Sequence, residues 1–314
     1  MKLIPALMKL QKLPNLFIPG AAKSGTSSLH DLLNLHPEIC MSKNKEPHFW
    51  SGKKLAEKNQ IEISGYLENF NLEDNKRYYG ESSTGYFYFP LFKENILSIK
   101  EYKPKFIFIL RNPIDRTYSH YCYVKSLGSE DDNFEDAVLK NHHKDPKPDD
   151  LLPEHIVKNY YQYSLYGKWI SKFYEAFDEH QIKIILFEDL IDNQLQTVNE
   201  CFDFLNLSRL DEIPEIKSNV TVKTKFPKIY KKIRVLTLSK NKFRDVVKHF
   251  FPKNFRRKYK KNISETFLNL TKTKERYPKL SQEQREWLCK LFKEDVSLLK
   301  KRTGLNLEQW KDFN

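Results

Sequence analysis

The sequence predicts an α/β fold in three layers, with a central parallel β-sheet flanked by helices. Three observations predict it. Continuous apolar runs recur at 16–19, 106–110 and 182–187. Segments of helical spacing separate them. Runs that are apolar throughout, without alternation, belong to parallel strands covered on both faces. The residues directly after the first two runs, a small-residue loop and an Arg-Asn-Pro turn, lie where α/β folds bind ligands.

Each element follows in order. The run 16–19 stops at Gly20, as a buried strand does before a turn. Leu29, Leu32, Leu33 and Leu35 then repeat at helical spacing until Pro37 ends the pattern. A short strand is expected at 78–81. The run FIFIL at 106–110 lies between Lys105 and Arg111, and Pro113 ends that strand and opens the next helix. The stretch 128–154 is polar and Pro-broken, which reads as a helix and a long surface loop. An amphipathic helix over about 161–177 precedes the third run. Positive charge accumulates from Lys223 to Lys261. Trp287, Leu288, Leu291, Phe292, Val296 and Leu299 mark a last helix over 281–302, stopped at Gly304. No repeat or dividing linker is visible. The expectation is a single domain over 1–314, with an N-terminal extension at 1–14, a variable surface segment at 128–155 and a basic helical segment at 223–262.

Composition narrows the class. The chain has 314 residues, 39% hydrophobic and 30% charged, with 22 Phe, 17 Tyr and 4 Trp, which excludes a disordered chain. Nine Gly without a period exclude a collagen-like one. A net charge of +13 suits an anionic partner: nucleic acid, a membrane surface, a polysaccharide or a multiply phosphorylated cofactor. A Lys-rich bias with no partner behind it fits the same number. No nucleic-acid reading motif accompanies the basic stretch, so nucleic acid is not expected. Cys40, Cys122, Cys201 and Cys289 are widely spaced and form no C-x-x-C pair, so they read as isolated thiols in a reducing compartment. Lys9 and Lys12 interrupt the apolar N-terminus, which therefore does not read as a signal peptide. No run of apolar residues is long enough to span a membrane. The expectation is a soluble, cytoplasmic protein.

Chemistry concentrates in two segments. In IPGAAKSGTSSL, at 18–29, small residues let backbone N–H groups turn around an anion at a helix N-terminus. Lys23, Ser24, Gly25, Thr26 and Ser27 form this cradle, and Thr26, Ser27 and Ser28 add hydroxyls that also suit a helix cap. Gly20 and Gly25 have the spacing of a triphosphatase loop, but Thr26 stands where that loop has its lysine, and Lys23 lies inside. The fold is therefore P-loop-like without a nucleotide triphosphatase motif. In RNPIDRTYSHY, at 111–121, Arg111 ends a parallel strand and Ser119 follows two helical turns later, a pairing suited to a second phosphate. Arg116 fits a salt bridge on the helix surface as well as a site. No metal site is expected.

These segments, together with HPEICMSKNKEPHFW at 36–50 and GESSTGYFYFP at 80–90, resemble the sulfotransferases that use 3′-phosphoadenosine 5′-phosphosulfate (PAPS). The likeness is greatest to the carbohydrate branch, the heparan sulfate 3-O- and N-sulfotransferase type and its bacterial relatives. It covers nearly the whole chain. The resemblance implies that the first loop binds the 5′-phosphosulfate, that Arg111 and Ser119 bind the 3′-phosphate, and that Lys23 is the catalytic lysine at the leaving phosphate. It implies Glu46 as general base and His48 as a residue close to the reaction centre, and packing is the alternative for His48. The acceptor would be a hydroxyl or amine of a carbohydrate, with a small-molecule or lipid acceptor, or a P-loop kinase, as alternatives. PAPS would serve as co-substrate with no metal. Two departures stand out: Ser82 replaces a lysine of the heparan-type enzymes, and Ser51 replaces an acid. Lys272, Lys274 and Arg276 are candidates for the late loop that closes over PAPS.

Overall fold

The structure, a computed structural model, describes residues 13–72, 76–140, 142, 157–214, 221–238 and 270–314, with backbone alone for 233–238. Most of the expected N-terminal extension, 143–155 of the surface segment and 239–262 of the basic segment lie outside the described residues.

The described residues belong to two compact units. The first comprises Met1–Arg116, Tyr163–Ser218 and Arg285–Asn314. Its centre is a five-stranded sheet of β1 (Leu16–Ile18), β2 (Ile39–Met41), β3 (Tyr78–Ser82), β4 (Lys105–Leu110) and β5 (Ile182–Leu186). The order across the sheet is β2-β3-β1-β4-β5 and every pairing is parallel. The first strand thus lies in the interior, and its successors lie on both sides of it. That arrangement makes a topological switch point at the carboxyl end of β1.

The two faces of the sheet differ because side chains alternate along each strand. Leu16 and Ile18 of β1, and Ile107 and Ile109 of β4, enter an aliphatic core with Leu29, Leu32 and Leu33 of helix α1 (Thr26–Leu33). Phe17 points the other way, against Trp50, Tyr86, Phe92 and Phe106. Phe108 joins that aromatic layer through Phe87 and Phe173. One face of the sheet is thus lined with aromatic rings and the other with aliphatic side chains. Gly80 lets Met41 pack directly on β3, since a Cβ there would meet Met41 Sδ at 2.3 Å and displace that side chain.

Some elements differ from expectation. β2 is only three residues long, Ile39-Cys40-Met41, and an apolar run that short does not separate a strand from a loop. The helices at Gln60–Leu67 and Pro90–Leu97 were not expected either; we label them α2 and α3. The helix expected from 161 begins instead at Tyr166, because the Asp295 carboxylate accepts the Gly167 and Lys168 N–H groups, both at 2.8 Å. A group more than a hundred residues away sets that boundary. The last helix, Gln282–Thr303, ends at Gly304 with φ 66°, as expected. All four cysteines are free thiols.

The second unit comprises Thr117–Gln162 and Asn219–Gln284. It contains an antiparallel pair, Val222–Thr224 with Lys272–Arg276, and the basic helix Pro227–Leu238. Lys272, Lys274 and Arg276 thus lie in a strand, where a loop was expected. Backbone pairing across the ribbon makes the segment regular.

Candidate functional site

The chain leaves β1 through residues 19–25 and enters α1. Gly25 is the residue before the helix, with φ 91° and ψ 13°, and a Cβ there would approach the Phe187 ring to 2.7 Å. Backbone conformation and close contact both require glycine. No side chain caps α1. The hydroxyls expected as caps serve another purpose: Ser27 Oγ and Thr26 Oγ1 accept from Lys45 Nζ at 2.7 and 3.4 Å. The Ser24 hydroxyl is fully buried facing the Tyr166 hydroxyl, and neither makes a hydrogen bond of normal geometry. Lys23 is half-buried in the loop with φ 69°.

The second part of the site is built by two segments clamped side by side. Residues 46–50 follow β2, and residues 82–86 follow β3. Glu46 N–H donates to Ser82 O at 2.9 Å, His48 N–H to Ser83 Oγ at 3.1 Å, and Trp50 N–H to the Tyr86 hydroxyl at 3.1 Å. This clamp fixes the Glu46 carboxylate. Its Oε2 accepts from the Thr84 amide at 2.9 Å, from Thr84 Oγ1 at 3.2 Å and from His48 Nε2 at 3.2 Å, while Oε1 meets only the same Thr84 Oγ1, at 3.3 Å, among the described contacts. The contact requires the His48 tautomer protonated on Nε2.

Burial works to raise the Glu46 carboxyl. The His48 hydrogen bond, the charges of His48 and Lys45 and the Thr84 amide outweigh it and hold the carboxyl below its ordinary value. Glu46 is therefore ionised at neutral pH. Its side chain is 36% exposed and that of His48 25%, so solvent and a substrate hydroxyl reach both.

Backbone conformation gives an independent sign. Among the described residues five non-glycines have positive φ, and three of them are Lys23, Glu46 (56°) and His48 (50°). A left-handed conformation costs a non-glycine roughly 1–2 kcal/mol, and residues held in it collect at functional sites.

The departures at Ser82 and Ser51 prove to be inward-facing. Ser82 Oγ lies 2.8 Å from His30 Nδ1, and Ser51 is fully buried with its hydroxyl on His48 O. Burial, with Lys45 nearby, depresses His30 to about 4, so this contact is one of a neutral imidazole. Beneath Glu46, burial pushes the Glu81 carboxyl up to about 8 beside Tyr86 and Tyr66.

Arg111 leaves the end of β4 with its guanidinium 5.0 Å from the centre of the Phe187 ring, the same ring that abuts Gly25. Phe187 thus sets the distance between the cradle and Arg111. Ser119 is half-buried on the helix Pro113–Ser126, among residues of the second unit. Arg116 corrects the surface alternative: it is fully buried, with Nε donating to Ala22 O and a guanidinium NH to Ser164 Oγ, both at 3.0 Å. It braces the cradle from behind. Sequence reasoning left Arg116 open between a surface salt bridge and a site, and missed the roles of Thr84 and Phe187. Each acts through a partner distant in sequence, which no local motif records.

Comparison with known proteins gives the family and the fold. Residues 13–300 match the family model described as Sulfotransferase domain. Carbohydrate sulfotransferase 15 of Mus musculus is 27% identical over 258 residues, 66% of this chain and 46% of that protein. Heparan sulfate glucosamine 3-O-sulfotransferase 5 of Mus musculus is 26% identical over 198 residues, 63% of this chain and 55% of that protein. The chain thus spans about half the length of these curated relatives. The crystal structure of a sulfotransferase from Alicyclobacillus acidocaldarius superposes with a TM-score of 0.65 at 23% identity, covering 96% of this chain and 99% of that one, which shows a shared fold.

Proposed function

The chain belongs to the sulfotransferase domain family, and from that premise we propose that it moves the sulfuryl group of PAPS to a hydroxyl or amine of a carbohydrate acceptor. The observation that carries the reading is the ionised Glu46 carboxylate, held by Thr84 and His48 with its Oε1 lightly engaged, on the same sheet edge as the cradle at 19–27. The donor supplies an activated sulfuryl group on a phosphate leaving group. The buried Ser24 hydroxyl, the α1 N-terminus and Lys23 fit its 5′-phosphosulfate. On the motif, Arg111 and Ser119 are assigned the 3′-phosphate.

In this reading Glu46 Oε1 takes the acceptor's proton as its oxygen or nitrogen bonds to sulfur. The bond from sulfur to the bridging phosphate oxygen breaks, and the leaving phosphate keeps that electron pair. Lys23 stabilises the charge that develops there, where a preorganised cation contributes most. His48 orients Glu46. Because Ser82 and Ser51 face inward, where heparan-type enzymes carry charged groups, the acceptor need not be heparan sulfate. Among the described residues no helix is long and apolar enough to cross a membrane. The four free thiols support a reducing, cytoplasmic location.

The test is incubation with labelled PAPS and a panel of glycans, lipids and phenols, with and without EDTA. Transfer to a saccharide, unaffected by EDTA, is expected. Transfer from ATP that requires magnesium, with none from PAPS, would refute it in favour of a kinase.

A further inference from the structure

Glu188 lies against the arginine assigned to the 3′-phosphate and has no part in the scheme above. The sheet register pairs Leu110 of β4 with Leu186 of β5, so the two strands end side by side. Arg111 and Asn112 leave from one, Phe187 and Glu188 from the other. Phe187 lies under the Arg111 guanidinium. Glu188 holds the next residue, its Oε1 accepting the Asn112 N–H at 2.9 Å. Its Oε2 accepts the indole N–H of Trp310, at 3.1 Å, from the C-terminal segment.

Asn112 is thereby a fixed point. It is buried, its Oδ1 accepts the Ile114 N–H at 3.0 Å, and its Nδ2 donates to Asp312 Oδ2 at 2.8 Å. Burial raises the half-buried Glu188 carboxyl above its ordinary value, although the Asn112 amide, the Trp310 indole and the Arg111 charge pull it down. A carboxylate withdrawn from water beside an anion site is costly and repels the anion, so its placement calls for a compensating role. The hydrogen bonds supply one. Each oxygen is engaged by a neutral donor, so the charge of Glu188 attracts the guanidinium without closing an ion pair. Among the described residues the Arg111 guanidinium makes no salt bridge or hydrogen bond, and its N–H donors face no competing carboxylate oxygen.

Resting on the assignment of Arg111 to the 3′-phosphate, we propose that Glu188 is a positioning residue for that phosphate: with Trp310 saturating its second oxygen, it orients the Arg111 guanidinium while leaving the donors to the ligand. Phe187 bounds the guanidinium on one side and the Glu188 charge draws it from another. Trp310 matters because an unengaged Oε2 is an acceptor that competes with the phosphate for the same N–H groups. The C-terminal segment, 122 positions beyond Glu188, thus acts on selectivity for a 3′-phosphorylated nucleotide.

Calorimetry with 3′-phosphoadenosine 5′-phosphate and with adenosine 5′-phosphate tests this on the full chain, Glu188→Gln and Trp310→Phe. The readout is the ratio of the two affinities. A general loss of packing does not move it, because the two nucleotides differ only in the 3′-phosphate. Glu188→Gln keeps the size of the side chain and removes its charge. The ratio is expected to fall by about tenfold, the scale of one charge-assisted hydrogen bond, with adenosine 5′-phosphate changed by less than about twofold. Trp310→Phe keeps a ring in the buried slot, frees Oε2 and should lower the ratio in the same direction. A fall of less than about threefold in either variant, equal losses for both nucleotides included, overturns the proposal. Should one variant fail to fold, the other decides by the same criterion. A parent chain with no preference for the 3′-phosphorylated nucleotide would refute the assignment of Arg111, and this one with it; a parent preference that both variants keep would refute the role of Glu188 alone.

Discussion

Replacing Glu46 by glutamine separates the base from its scaffold, because the structure offers every atom of the new side chain a partner. Oε2 accepts the Thr84 amide at 2.9 Å and His48 Nε2 at 3.2 Å, so the carboxamide oxygen takes that place and keeps both bonds. The NH₂ group takes the place of Oε1, where its one partner, Thr84 Oγ1 at 3.3 Å, is a hydroxyl that rotates to accept. What is lost is the charge in those bonds, about 1 kcal/mol each at most on a partly exposed site. Folding should therefore change little. Turnover should fall far more, because the amide cannot take a proton: about 10²–10⁴-fold, or roughly 3–5.5 kcal/mol of barrier. The assays are a thermal melt, calorimetry with the desulfated product and transfer from labelled PAPS at saturating acceptor. Since its surroundings hold Glu46 below the ordinary carboxylate value, its ionised form persists above that value and is lost only as pH falls through the lowered one. The parent should thus show no acid limb from Glu46 between pH 6 and 8. A glutamine variant within about threefold of the parent over that range would refute the assignment of the base.

Lys23→Ala should lower kcat strongly with a smaller loss of product affinity, because backbone N–H groups bind the phosphate without it; equal losses in affinity and kcat/KM at constant kcat, measured by calorimetry and steady-state kinetics, would make it a binding contact only. Arg111→Ala should weaken the desulfated product by about 1.5–3 kcal/mol in calorimetry, and an unchanged preference over the analogue lacking the 3′-phosphate would contradict the assignment. Glu81, raised to about 8, stabilises the fold fully below its unfolded value and loses that contribution as pH rises to about 8. Glu81→Gln should therefore flatten the fall of the melting temperature between pH 5 and 8.5, and a parallel fall in both proteins would show that another group titrates.

The sheet and the cradle were legible because their information is local. Apolar runs at 16–19, 106–110 and 182–187 mark strands directly, and GAAKSGT places small residues, a lysine and hydroxyls between one strand and one helix. The candidate base was legible only through the resemblance. Flanked in sequence by Lys43 and Lys45, Glu46 has no local feature that separates it from a surface residue.

By itself the sequence determined what chain neighbours decide: three of the five parallel strands and most of a fourth, the small-residue loop after β1 and the arginine at the end of β4. Tertiary structure alone decided the rest, because those contacts join residues far apart in the chain. Thr84 holds Glu46 across 38 positions, Arg116 braces Ala22 across 94, and Asp295 starts a helix 128 positions before it. It also gave two hydroxyls expected as helix caps a different partner. Thr26 and Ser27 became ligands of Lys45 because a second strand connection delivers that cation to a helix start its own segment never approaches in sequence. Hydrogen bonds and charges act over a few ångströms of space, and periodicity reports only the faces of single elements, so such partners emerge when the chain is folded.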